Sequence, residues 1–137
     1  MERRYDELIE RKMYVGSADE AEAATLDQKA TQVFDVRVNG RREEVSYDYT
    51  HSPIEENNEA ETIKKGAEQI AAAIRNGESA YIHCGSGTGR AAVMAAATLV
   101  ELGEASTIDD AMNIVSQKRK GARFHPIMVS ALEKLYK

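Results

Sequence analysis

Hydrophobic positions along this chain follow two periods. Residues 13–15, 32–38 (QVFDVRV), 44–50 (EVSYDYT) and 79–83 are short runs that are continuously apolar or alternate, which predicts strands. Ile63, Ala67, Ile70 and Ile74 recur at helical spacing, as do Met128, Leu132 and Leu135 near the end. Residues 88–102 are apolar nearly all round, which predicts a central, buried helix. The punctuation agrees with this division. Gly16 closes the first strand, and Ser17 with Glu20 forms a capping-box pattern opening a helix to about Gln28. Gly77 and Gly103 stand where helices stop. Thr107 with Asp110 caps a helix to about Gln117, and Pro126 at the first helical position opens the last one. Asn39-Gly40, between the second and third runs, is a hairpin signal, and residues 53–59 (PIEENNE) read as an acidic loop. Strands alternating with helices imply an α/β or α+β fold in which helices cover a sheet.

Composition narrows the setting. The 137 residues suit a single domain spanning 1–137, with 42% hydrophobic and 30% charged residues, both ordinary for a globule. A net charge of −5 provides no overall positive field, so nucleic acid is not the expected partner. No run reaches the roughly 18 apolar residues of a membrane span, so no membrane partner is expected. The charged opening MERRYDELIERK does not read as a signal peptide. One cysteine, Cys84, makes no internal disulfide, and the expected setting is the reducing cytoplasm. Histidines 51, 83 and 125 are scattered without paired-ligand spacing, so neither a metal nor another cofactor is expected.

That cysteine opens the stretch His83-Cys84-Gly85-Ser86-Gly87-Thr88-Gly89-Arg90, between a strand and a helix. A lone cysteine is ordinarily a small buried hydrophobe. Here the context points to chemistry instead. A glycine-rich strand-to-helix turn aims successive backbone N–H groups into one concavity, to which the helix N-terminus adds about half a positive charge. Such a nest holds a tetrahedral dianion, and Arg90 can fork two donors onto its oxygens. The same positive surroundings favour the thiolate of Cys84 over the thiol. A thiolate beside a held phosphoryl group is placed for in-line attack, giving a cysteinyl-phosphate.

The motif H-C-x5-R resembles the signature of the protein tyrosine phosphatase superfamily, and the similarity extends over most of the chain. MYVGSADEAE is similar to the opening strand and helix of dual-specificity phosphatases, VFDVR to the following strand, and HSPIEE to the segment leading to the general acid. The resemblance implies a central, mostly parallel sheet flanked by helices. It also implies Cys84 as nucleophile, Gly85, Ser86, Gly87, Thr88 and Gly89 with Arg90 as phosphate cradle, and His83 as a group behind the cysteine that supports the thiolate. Cleaving an ester needs a carboxylic acid within reach of the leaving oxygen. PIEE matches a family stretch P-x-x-D, which puts Glu56 at the acid position; Asp48 and Glu55 are the other candidates. The chain departs from the pattern at Ala91, where the family carries Ser or Thr whose hydroxyl assists the sulfur's departure, so slow turnover is expected unless Ser86 or Thr88 substitutes.

Neighbouring features have plainer readings. Asp35 and Arg37 read as a structural ion pair at a strand end. The basic stretch 117–126 (QKRKGARFHP) reads as a solvated helix end, with lining of the site as the alternative. None of residues 85–89 is basic, which disfavours phosphoinositides and polyphosphates, since related enzymes that act on these tend to carry lysines there. The expected substrate is a phosphoprotein or small phosphomonoester: phosphotyrosine, and with a shallow cleft phosphoserine or phosphothreonine too. Two other classes stand beside this: a phosphate- or phosphopeptide-binding module that turns over poorly, and another thiolate reaction on the same loop, such as sulfur transfer or arsenate reduction.

Overall fold

The computed structural model describes residues 5–40 and 44–137. Five strands form one sheet in the order β1-β2-β5-β3-β4, where β1 is Tyr5–Ile9, β2 Met13–Gly16, β3 Gln32–Asp35, β4 Tyr49–His51 and β5 Ala80–His83. β1 is antiparallel to β2, and the remaining pairings are parallel. Five α-helices lie among the described residues: α1 Ala21–Leu26, α2 Glu59–Arg75, α3 Arg90–Glu101, α4 Ile108–Lys118 and α5 Pro126–Tyr136. Of the α/β and α+β folds that the alternation allowed this is the α/β one, with the mostly parallel sheet that the resemblance implied.

Strand side chains alternate between two cores, as a pleat requires. Met13, Val15, Phe34 and Ile82 face one way, with Ile63, Ile70, Met94, Ile108 and Leu132 of the long helices. Tyr14, Val33 and Tyr81 face the other, with Ala21 and Ala24 of α1. α3 sits at the centre of the larger core: every residue from Ala91 to Leu99 is buried. Its alanines keep it thin enough for neighbours on all sides. Among the described residues, no helix is long and apolar enough to cross a membrane.

Several boundaries differ from the sequence reading, each for a tertiary reason. β1 lies in the stretch that reads as merely charged. Tyr5 and Leu8 are its buried positions, and the charges between them suit an exposed sheet edge. The strand over 32–38 ends at Asp35, and the one over 44–50 is reduced to Tyr49–His51. The hairpin does not form, because β3 and β4 are parallel, with Val33 opposite Tyr49 and Asp35 opposite His51. Part of the intervening segment, 41–43, lies outside the described residues. Ser17 does not cap a helix. Its carbonyl receives the Tyr81 hydroxyl (2.7 Å), and the next amide, Ala18 N–H, donates to Gly85 (2.9 Å), so this corner is tied to the sheet and the loop after β5. A 3-10 turn, Ala18–Glu20, leads into the shortened α1. Elsewhere the signals hold: Thr107 Oγ1 accepts from Asp110 N–H at 3.1 Å, and Gly77 and Gly103 take positive φ at the ends of α2 and α3.

Candidate active site

β5 ends at His83, α3 begins at Arg90, and the intervening loop lies at the C-terminal edge of the parallel strands, where α/β sheets open their crevices. Every backbone carbonyl from His83 to Gly89 accepts a hydrogen bond. Val36 N–H reaches His83, Ala18 N–H reaches Gly85, and Arg123 N–H reaches Thr88, at 2.9, 2.9 and 2.7 Å. His83 Nδ1 donates to the Cys84 carbonyl (2.9 Å). Arg119 donates Nη2–H to Ser86 (2.7 Å) and Nε–H to Gly87 (3.3 Å). Val93 N–H closes the series on Gly89 (3.2 Å) as the first turn of α3. In a planar trans peptide the C=O of one residue and the N–H of the next point in opposite directions. Donors gathered from His83, Ala18, Arg119 and Arg123 around the outside therefore turn the N–H groups of Gly85 through Gly89 toward the inside of the turn, where that of Thr88 meets Ser86 Oγ.

The turn needs Gly87 for two independent reasons. Its φ is +79°, and a Cβ there would run into the backbone of Gly16, so the loop and β2 touch main chain to main chain. α3 then starts without a side-chain cap and without an acidic residue in its first turn, leaving its orphan N–H groups and positive end open at the loop.

The structure brings most of the predicted residues together. Cys84 is 7% exposed at the base of the loop. Ser86 and Thr88 lie at its surface with their hydroxyls 2.7 Å apart, and Thr88 N–H donates to Ser86 Oγ at 3.3 Å. Arg90, the first residue of α3, donates Nη1–H to the carbonyl of Ile54, which ties the loop to the segment before α2. A cavity of about 450 Å³ adjoins this contact, with Glu56, Gly89, Arg90, Val93, Arg123 and His125 among its walls. Glu56 thus shares a cavity with Arg90, whereas Glu55 faces a separate small cleft with Thr62 and Lys65. Asp48 is not brought to the site. Its carbonyl accepts from Val33 N–H, and its carboxylate lies 3.5 Å from Gln32 Nε2. Gln32 is opposite Ala80, which places Asp48 at the far end of the strands, about 13 Å along the sheet from Cys84. Ala91 is fully buried.

Behind the loop, His83 is fully buried, with Nδ1 3.8 Å from Asp35 Oδ1. Asp35 and Arg37 form the ion pair read from the sequence, through Nη2 at 2.8 Å and Nε at 3.0 Å, and the Tyr49 hydroxyl donates to Asp35 at 2.6 Å. Burial pushes the Asp35 carboxyl up, but the hydrogen bonds from Arg37 and Tyr49 outweigh it and hold the group below the usual carboxylate range.

The basic stretch requires a correction. It is not simply a solvated helix end: Arg119 is 7% exposed and lies against the loop, and Arg123 lines the cavity beside Arg90. A signal for Arg119 was present in the spacing. The buried stripe of α4, Ile108, Ala111 and Val115, reaches Arg119 at its next step of four.

A thin central helix opening uncapped on a glycine-rich loop, at the C-terminal edge of a mostly parallel sheet, is the α/β arrangement that the resemblance of residues 83–90 implied. The sequence matches the family model of the dual specificity phosphatase catalytic domain over residues 13–134, and the chain belongs to that family. A search of curated proteins gives no match. Solved structures with the same fold include human DUSP28 (TM-score 0.82, 19% identity, covering 98% of this chain and 94% of that one). PTPMT1 in complex with PI(5)P is also similar (0.79, 15%, 97% and 94%). So is the human tyrosine phosphatase-like serine/threonine/tyrosine-interacting protein (0.78, 18%, 96% and 95%).

Proposed function

We propose that this protein is a metal-independent phosphomonoester hydrolase acting on phosphotyrosine, and on phosphoserine or phosphothreonine, in proteins. The observation that carries the reading is the run of outward carbonyls from His83 to Gly89, which aims the loop amides inward above Cys84. In the first step the Cys84 thiolate attacks phosphorus, the bond to the ester oxygen breaks, and Glu56 as a carboxylic acid protonates that oxygen. The inward amides and the Arg90 guanidinium hold the three equatorial oxygens, where charge accumulates. In the second step water attacks the cysteinyl-phosphate, Glu56 as carboxylate takes its proton, and the S–P bond breaks to release phosphate and restore the thiolate. His83, by donating to the Cys84 carbonyl, holds the end of β5 in the orientation this attack requires.

Glu56 is preferred to Asp48 and Glu55 because it shares the cavity with Arg90. The absence of lysine from residues 85–89 favours a phosphoprotein over a phosphoinositide of the kind that PTPMT1 holds. Ala91 supports a second reading, a phosphate-binding module with slow turnover, because no hydroxyl follows the arginine to assist the departing sulfur. Hydrolysis of p-nitrophenyl phosphate in EDTA, by wild type and Cys84→Ser, separates the two. Multiple-turnover activity abolished by the substitution is expected. A wild type that binds phosphate yet stops after releasing about one equivalent of nitrophenol per site, or fewer, would instead establish the module.

A further inference from the structure

A buried arginine needs a reason. Arg119 is 7% exposed, and its guanidinium has a defined partner on each of its three nitrogens: Ser86 carbonyl at Nη2 (2.7 Å), Gly87 carbonyl at Nε (3.3 Å) and Asp6 Oδ2 at Nη1 (2.9 Å). Burying a cation is costly unless charge and hydrogen bonds compensate, and here both do: one carboxylate from β1 and two loop carbonyls. The two carbonyls belong to the peptide units whose N–H groups are those of Gly87 and Thr88. Turning these units by even a few tens of degrees would swing the Gly87 amide off the inside of the loop and the Thr88 amide off Ser86 Oγ.

We infer that Arg119 is a positioning residue for oxyanion capture, fixing the Ser86 and Gly87 carbonyls from behind and so aiming the Gly87 amide at the bound phosphate, while the Thr88 amide, turned by the same grip, donates to Ser86 Oγ (3.3 Å) and fixes the shape of the turn. The inference rests on the reading of this loop as a phosphate cradle. A guanidinium suits the task because its planar fork meets three acceptors at fixed angles, whereas an ammonium on a flexible stem is a single point charge that fixes none of them. Holding the carbonyl ends against a cation also polarises the two peptide units, which strengthens their N–H groups as donors on the other face. Asp6 completes the device by anchoring the guanidinium to the sheet edge, so the unforeseen strand β1 acts as the outer brace of the loop.

The test compares wild type, Arg119→Lys, Asp6→Asn and Lys120→Gln. Lys120 is exposed beside Arg119 and serves as a control for removing one positive charge from this surface. Calorimetric binding of inorganic phosphate and inhibition by vanadate are measured alongside kcat and KM for p-nitrophenyl phosphate, with thermal unfolding as the measure of folding. Arg119→Lys keeps the charge and loses the fork. It is expected to weaken phosphate and vanadate binding about tenfold and to lower kcat/KM by about 10- to 100-fold. Asp6→Asn is expected to shift the same quantities in the same direction by about threefold, and Lys120→Gln by less than about twofold. Arg119→Lys with wild-type phosphate affinity, even at a lower melting temperature, would reduce Arg119 to a structural strut and overturn the inference. Lys120→Gln matching Arg119→Lys would overturn it in favour of general charge. If Arg119→Lys fails to fold, Asp6→Asn decides alone, and unchanged binding there overturns the inference. A wild type that binds inorganic phosphate without hydrolysing p-nitrophenyl phosphate would count against the phosphatase reading and leave the binding test intact.

Discussion

The N-termini of α3 and α4 follow opposite rules. α4 begins as isolated helices prefer: Thr107 caps it, and Asp109 and Asp110 place negative charge against its positive end. α3 begins with Gly89, which has no side chain to cap, followed at once by the cation Arg90, with no acidic residue in the first turn. Taken alone, α3 is the worse start, with orphan N–H groups unmet and like charge placed on its positive end. Its opposite end is conventional: Gly103 at φ +77°, with Glu104 N–H donating to Leu99 and Gly103 N–H to Val100, closes the helix in a Schellman motif. The deficit is thus confined to the end that meets the loop, where an anionic ligand would serve as the cap. Local rules are broken where function needs the unmet groups. The carboxylate nearby in the fold, Asp35 behind His83, has its charge matched by Arg37 rather than set against α3.

Four substitutions test this contrast. Arg90→Ala should separate activity from stability most sharply: activity toward p-nitrophenyl phosphate falls about 10³-fold, while denaturant unfolding stays within about 1 kcal/mol of wild type, since relief at the helix dipole offsets the lost bond to Ile54. A proportionate loss of both would mean that Arg90 chiefly holds the fold. Gly87→Ala forces a side chain into positive φ and into Gly16. It should cost about 2–3 kcal/mol in urea unfolding and lower kcat/KM about a hundredfold.

Asp35→Asn leaves Arg37 and Tyr49 facing a neutral group. Because the Asp35 carboxyl titrates lower in the folded than in the unfolded chain, its stabilisation is present above about pH 4 and is lost as the pH falls further. Unfolding should therefore show wild type ahead by about 3 kcal/mol at pH 7, with the two proteins converging in acid; parallel curves would contradict the ion-pair assignment. Thr107→Ala is the mildest. It should lose about 1 kcal/mol of stability with kcat and KM unchanged, because α4's cap is satisfied within α4.

Much of this was legible in the residues. The interior of each long helix follows from apolar spacing, the ends of α2 and α3 from Gly77 and Gly103, the start of α4 from Thr107, and the loop from one cysteine, spaced glycines and an arginine. The misreadings share a cause. Ser17 and Asn39-Gly40 are strong local signals, yet the Ser17 corner is bound to Tyr81 and Gly85, and β3 and β4 join the sheet in parallel. β1 was hidden because an edge strand buries only Tyr5 and Leu8 among charges. Asp48 and Glu56 looked like competing acids because position along the chain does not say which end of a strand a residue occupies.

The sequence by itself determined the periods, the stops and the strand-loop-helix form of residues 80–101, because these depend on interactions within a few residues: hydrogen bonds to near neighbours, allowed dihedrals, and which face of an element is apolar. Tertiary structure alone decided the partners of the loop carbonyls, the burial of Arg119 in a run of exposed charges, and the meeting of Glu56 with Arg90. Apart from the bonds of His83 to Cys84 and Val93 to Gly89, these join residues 30 to more than 100 positions apart, and only the closing of the sheet and the packing of α3 within the helices bring the loop carbonyls, Arg119 and Asp6 within hydrogen-bond range and set Glu56 and Arg90 on one cavity.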